Sequence, residues 1–275
     1  MRAFVFPGQG SQKIGMGVEL AASSSVARAV FEEVDDALGQ KLFAIMRDGP
    51  DEALLLTENA QPAIMANAIA VLRVLEQEGG LTLAEKADFV AGHSLGEYTA
   101  LCAAGAFSLA DTARLLKLRG QAMQAAVPLG VGAMCALLGA DIDKAQRLAD
   151  AAAQGEVCTV ANDNDPGQVV LSGHTAAIER AIALVKEFEI KRGVLLPVSA
   201  PFHCPLMQGA ADAMADAPCQ DPAESAPPAA FRQCDCFRGD RASRSSATAG
   251  RTGLRPGPLA RKRDRDERRR RRSVR

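Results

Sequence analysis

An α/β fold made of a large body with a smaller one inserted into it is what the sequence predicts, and three observations carry that reading. Short apolar runs that end at glycine alternate with helical periodicities over the first 128 residues. Residues 132–198 then repeat the compact order βαββαβ. Past Ala217 the patterning collapses, and the chain reads as a disordered tail.

The elements follow in order. Ala3 to Phe6 is a buried-strand candidate that stops at Pro7-Gly8, and Asp88 to Ala91 is another that stops at Gly92. Between them the chain reads as helices. The clearest covers 60–77, where Met65, Ala68, Ile69, Leu72 and Leu75 recur at helical spacing before Gly79-Gly80. A helix follows Ser94, and another runs from Ser108, an N-cap with Asp111 three residues on, to about Ala126. The small body is strand 133–138, helix 141–153, strands 157–161 and 168–172, helix 175–188 and strand 193–198. That order is the ferredoxin-like unit. It gives a large subdomain of 1–128 plus 199–216, a small one of 129–198, and a tail of 217–275.

Composition narrows the class. With 48% hydrophobic, 24% charged and 4% aromatic residues in 275, the chain is an ordinary globular protein, long enough for a sizeable core. No apolar stretch approaches the ~20 residues of a membrane span, and the apolar run at the N-terminus is too short for a secretory signal, so a cytoplasmic address is expected. The seven Cys are odd in number and mostly far apart, which suits free thiols in a reducing compartment. Cys234-Asp235-Cys236 lacks the second pair a zinc site wants, so no metal is expected.

The net charge of -1 hides an asymmetry: residues 1–216 carry -10 and residues 217–275 carry +9. The last 59 residues hold three from Val, Leu and Ile, and fifteen Arg against one Lys. Such a segment buries too little apolar surface to offset its ordering entropy. An Arg-rich nucleic-acid-binding arm is one alternative. A shifted reading frame in a GC-rich gene explains the abruptness better, because out-of-frame GC-rich codons yield Arg, Ala, Pro, Gly and Ser. Gln233-Cys234-Asp235-Cys236 can be encoded CAA TGT GAC TGC, and those bases read from the second position give Asn-Val-Thr-Ala.

Chemistry concentrates in a few places. Gly92-His93-Ser94-Leu95-Gly96 is a G-x-S-x-G between strand and helix, the context of a nucleophile elbow that presents a serine hydroxyl beside a helix N-terminus. The amide of Leu95 favours negative charge there, and Pro7-Gly8-Gln9-Gly10 can supply a second amide from Gln9 to the same oxyanion hole. Neither a G-x-G-x-x-G nor a P-loop spacing is met, since Lys13 stands at the third glycine position and Met16-Gly17 follows Gly15. Of the three His, His93 abuts the serine, its ring pointing away from the hydroxyl, and is assigned to packing or to supporting a neighbouring site residue, and His174 caps a strand. That leaves His203, in Ser199-Ala200-Pro201-Phe202-His203-Cys204, as general base. Arg119 falls in the centre of the apolar face formed by Leu115, Leu116, Ala122, Met123 and Ala126, with Arg114, Lys117, Gln121 and Gln124 opposite. Its guanidinium either meets an internal carboxylate or captures a substrate carboxylate.

Taken together, PGQGSQ, GHSLGEY, the Arg119 helix, VANDNDPGQVVLSG and SAPFHC resemble the bacterial malonyl-CoA:acyl carrier protein transacylases, in order over residues 1 to about 216. The resemblance implies an α/β-hydrolase-like large subdomain with an inserted ferredoxin-like one. It also implies malonyl transfer in fatty acid synthesis through a malonyl-serine at Ser94, with His203 as base and then acid, and Gln9 and Leu95 amides as oxyanion hole. Arg119 would pair with the malonyl carboxylate, and Phe202 would leave little room for a methyl branch. Malonyl-CoA and acyl carrier protein are the implied partners, with no cofactor. A serine esterase or thioesterase of α/β-hydrolase type shares the elbow and is the main alternative. The family's strand containing Asn-Val-Thr and its carbonyl that orients the His are not found after 217, which predicts poor folding and little activity for the chain as it stands.

Overall fold

The structure, a computed structural model, describes residues 2–198 and 200–217. The expected tail, with its disorder, its nucleic-acid reading and its frame-shifted strand, lies outside the described residues apart from Ala217. Two compact units divide the rest, Met1–Lys117 and Leu118–Ala217. The second unit thus takes in the end of helix 109–126 and residues 200–217, which the sequence assigned to the large subdomain.

The first unit opens with β1 (Ala3–Phe6), followed by α1 (Val18–Ser23), α2 (Ser25–Leu38), α3 (Leu42–Asp48), α4 (Asp51–Leu55) and α5 (Thr57–Gln77). The short α6 (Leu83–Lys86) leads to β2 (Phe89–Gly92), then α7 (Leu95–Ala103) and α8 (Leu109–Ala126), which leaves the unit at Lys117. β1 and β2 pair in parallel with Phe6 opposite Gly92, so both apolar runs end at one edge of the sheet. α5 is the centre of the helical layer. The sequence predicts one apolar stripe on it, yet Ala60, Ala63, Ile64, Met65, Ala66, Ile69 and Ala70 are all buried, while Leu75 is 41% exposed. Small alanines let neighbouring helices approach from several sides, which a stripe based on large residues does not register. Phe31 of α2 and Phe43 of α3 stack with ring centroids 4.4 Å apart in the same core region.

Local signals account for several boundaries. Ser24 caps α2 by accepting from the Ala27 amide. The expected cap of α8 is present: Ser108 Oγ accepts from the Asp111 amide at 3.0 Å and donates to the Asp111 carboxylate at 2.6 Å.

The second unit is built on β3 (Gly132–Ala140), α9 (Ile142–Ala153), β4 (Cys158–Asp165), β5 (Gly167–His174), α10 (Thr175–Leu184) and β6 (Arg192–Leu195). The strands lie in the order β4-β5-β3-β6, all antiparallel, which is the ferredoxin-like topology the sequence order predicts. α9 and α10 cover one face through Leu148, Ala149, Ala152, Ala177, Ile178 and Ala181. The other face, Met134, Ala136, Ala161 and Val170, is covered by Met123 and Val127 of α8 and by Ala200, Phe202, Met207 and Ala210. Met207 ends a 3-10 turn at Pro205–Met207, and Ala210 lies in α11 (Gln208–Ala215). This packing draws residues 118–127 and 200–217 into the second unit.

β4 runs further than its sequence suggests. Asn162 and Asp163 pair with Val170 and Val169, with register shifts after Val160 and after Asp163. Polar Asn and Asp are poor strand formers, and the tight connection Asp165-Pro166-Gly167, with Gly167 at φ 105°, forces the pairing. No helix among the described residues is long and apolar enough to cross a membrane.

Candidate active site

The first unit positions Ser94 on a backbone that only a sharp turn explains. Ser94 lies between β2 and α7 at φ 55°, ψ -110°, a conformation that L-residues with a side chain rarely adopt and that costs of order 1–3 kcal/mol. The surroundings hold it there. The His93 amide donates to Phe6 O at 3.1 Å, continuing the sheet, while the carbonyls of His93 and Ser94 accept from Gly96 and Glu97 at 2.9 and 3.1 Å and start the helix. Both glycines of the motif are required by contact: a Cβ on Gly92 would lie 1.9 Å from the Gly96 carbonyl carbon, and one on Gly96 would lie 2.4 Å from Phe6 O. The serine is half-buried, and Leu95, first residue of α7, contributes one of the amides for which a helix supplies no acceptor.

The Gln9 loop packs against this elbow. Gly8 lies against His93 so closely that a Cβ there would be 2.5 Å from the imidazole Nδ1 and 2.8 Å from the His93 carbonyl. The imidazole of His93 therefore lies against the loop backbone, although the residue as a whole is exposed. Within the loop Ser11 Oγ donates to Gly8 O at 2.9 Å and the Gly10 amide donates to Gln12 Oε1 at 2.8 Å, which stiffens the turn around Gln9. The Gln9 side-chain amide lies 3.5 Å from Thr57 Oγ1.

The second unit holds the other group. Arg119 is 5% exposed on α8, as its place on the apolar face predicts. One turn on, Met123 shares a core cluster with Phe202, itself 7% exposed. His203 follows on the outside of a tight turn at φ 58°, exposed to solvent. That turn is held by the Phe202 amide on Ala200 O (3.1 Å), Cys204 Sγ on Pro201 O (3.1 Å) and the Met207 amide on Cys204 O (2.9 Å). Burial pushes the Cys204 thiol up, so the sulfur beside His203 stays a neutral donor. His174 ends β5, and its Nδ1 accepts from the Val157 amide at 3.0 Å, a structural bond as expected of a capping residue.

These contacts gather Gln9, Ser94 and Leu95 in one unit, and Arg119, Phe202 and His203 in the other. Residues 3–247 match the family profile of the acyl transferase domain. The chain belongs to that acyl transferase family. Its match to the malonyl CoA-acyl carrier protein transacylase of Escherichia coli strain K12 is 47% identical over 213 residues, covering 78% of this chain and 68% of that protein. The crystal structure of an acyl-carrier-protein S-malonyltransferase from Bartonella henselae is 57% identical, with a TM-score of 0.75 over 78% of this chain and 68% of that one. A malonyl-transacylase solved in complex with a type II acyl-carrier protein is 44% identical, with a TM-score of 0.74 and the same coverage.

Among the described residues no group of His, Cys, Asp and Glu could hold a metal ion. One polar cluster escaped the sequence reading. Lys117, on the polar side of α8, meets Glu58, Gln40 and Asn59, residues 58 to 77 positions away. No local pattern signals such a contact.

Proposed function

We infer that this acyltransferase moves malonyl from malonyl-CoA to the phosphopantetheine thiol of acyl carrier protein through a malonyl ester on Ser94. The observation that carries the reading is the backbone of Ser94, φ 55° and ψ -110°, locked between a parallel strand and a helix N-terminus. A structural glycine-rich turn has no need of a strained serine, whereas a nucleophile that must stand clear of its own backbone does.

In the proposed cycle His203 takes the Ser94 proton as the serine oxygen attacks the thioester carbonyl. The Gln9 and Leu95 amides stabilise the oxyanion, aided by the positive end of α7. Collapse expels the CoA thiolate, which takes the proton from His203. The carrier thiol then loses its proton to His203, attacks the malonyl-serine and restores the hydroxyl. One thioester is exchanged for another, so neither oxidant nor cofactor is called for.

Arg119 is the residue proposed to choose the acyl group. Its planar fork matches a carboxylate, which a malonyl group offers and an acetyl group lacks. Phe202 is proposed to restrict branching beside the same group. A simple serine esterase shares the elbow but gives Arg119 no such task. We also propose a cytoplasmic address, supported by the free thiols Cys102, Cys135, Cys158 and Cys204.

The experiment is discharge of the acylated chain. Protein incubated with malonyl-CoA, freed of excess substrate and mixed with holo-acyl carrier protein, should pass its malonyl group to the carrier thiol faster than to water. Release as free malonate alone would instead make it a hydrolase.

A further inference from the structure

We propose that Lys117 is a positioning residue for the acyl-group selectivity carried by Arg119, acting by fixing the rotation and axial register of α8. The proposal rests on the reading of Arg119 as the carboxylate-binding residue. Lys117 and Arg119 lie two residues apart on one helix, about 200° around and about 3 Å along its axis, so they occupy opposite faces. Apolar packing and the Arg114 bond to the Ala37 carbonyl hold α8 on one side of its first turns, and a directional contact nearer Arg119 adds a finer constraint on its rotation. A rotation of about 10° carries a guanidinium tip about 8 Å from the axis through more than about 1 Å, and a misplacement of about 1 Å can cost on the order of a hundredfold in rate.

The ammonium of Lys117 meets three acceptors from separate stretches of chain: Glu58 Oε2 at 3.0 Å, Gln40 Oε1 at 2.8 Å and Asn59 Oδ1 at 3.2 Å. An ammonium has three donors, so this socket accounts for all of them. The socket is itself braced. Asn59, 5% exposed, also accepts from Gln40 Nε2 at 2.9 Å and donates from Nδ2 to Ala53 O at 2.9 Å. Gln40 follows the end of α2, and Glu58 and Asn59 lie in the first turn of α5. The Lys117 and Glu58 side chains are 21% and 32% exposed, where an ion pair adds little to stability. Orientation is what three converging acceptors supply.

The test uses the full chain and measures initial rates of Ser94 acylation by malonyl-CoA and by acetyl-CoA, read by intact mass. Lys117→Met is expected to lower the malonyl-over-acetyl preference about tenfold while leaving acetylation unchanged. In an Arg119→Ala background, where the preference is already lost, Lys117→Met is expected to change it no further. Glu58→Gln, which keeps an acceptor in place, is expected to lower the preference less, and it serves if the Lys117 variant fails to fold. Equal loss of both rates, or the same tenfold fall without Arg119, overturns the positioning role. A preference that survives Arg119→Ala overturns the Arg119 reading itself and this proposal with it. No acylation of the unsubstituted chain counts against both.

Discussion

Replacing Gly92 by Ala tests the elbow where the structure leaves least room. The added Cβ would stand 1.9 Å from both the carbonyl carbon and oxygen of Gly96 and 2.3 Å from the Glu97 amide nitrogen. These are backbone atoms of the first turn of α7, so no side chain can swing aside. To reach an ordinary contact of 3.4 Å, the end of β2 and the start of α7 must separate by about 1.5 Å. Overpacking a core costs about 1–3 kcal/mol, and a backbone clash belongs at or above the upper end. For a domain of 150–250 residues that is a fall in Tm of roughly 6–12 °C. Because Ser94 lies within the displaced turn, its acylation rate should fall on the order of a hundredfold. Circular dichroism melts and intact-mass time courses read the two effects. Gly209→Ala is the control: it lies in α11 with nothing within 4 Å, and should stabilise by roughly 0.5–1 kcal/mol. A Gly92→Ala chain that melts and reacts like the parent would mean that the elbow does not need a glycine at position 92.

Other outcomes follow from the same geometry. Ser94→Gly removes the nucleophile and also the strain of φ 55°, ψ -110°, so it should abolish acylation while raising stability by about 1 kcal/mol in denaturant titration. Phe202→Ala empties part of a buried cluster and should cost about 3–5 kcal/mol, while admitting methyl-branched acyl groups in competition assays. Burial pushes the Cys135 thiol up to about 12 and Cys158 up to about 11, from an ordinary 9.0. Well below pH 9 both thiols are neutral whether the chain is folded or unfolded. Above it the unfolded thiols ionise first, so stability should fall as pH rises from about 9 toward 12, and less steeply in a Cys135→Ala, Cys158→Ala chain. Alkylation of the folded protein at pH 8 should spare these two sulfurs.

Periodicity and punctuation were enough to locate β1, β2, α7, α8 and the whole βαββαβ unit, because each has an apolar face of the right period and a Gly, Pro or Ser boundary. The strained serine was legible for the same reason: two glycines at fixed spacing have few uses between a strand and a helix. What escaped was settled by tertiary contact. The polar end of β4 is held by its pairing with Val169 and Val170, and the all-round burial of the first half of α5 depends on which helices surround it. The Lys117 socket joins residues 58 to 77 positions apart, beyond the range of any local pattern. The unit boundary within α8 reflects Met123 and Val127 reaching the ferredoxin-like sheet, which spacing along one helix does not disclose.

Where the acyl group goes decides whether Ser94 is the nucleophile. After brief exposure of the full chain to malonyl-CoA and digestion under mild acid, fragment masses should place one malonyl unit on the peptide containing Ser94, and none should form in a Ser94→Ala chain. A malonyl group found on a cysteine or lysine instead, or an adduct that persists when Ser94 is replaced, would mean that Ser94 is not the nucleophile.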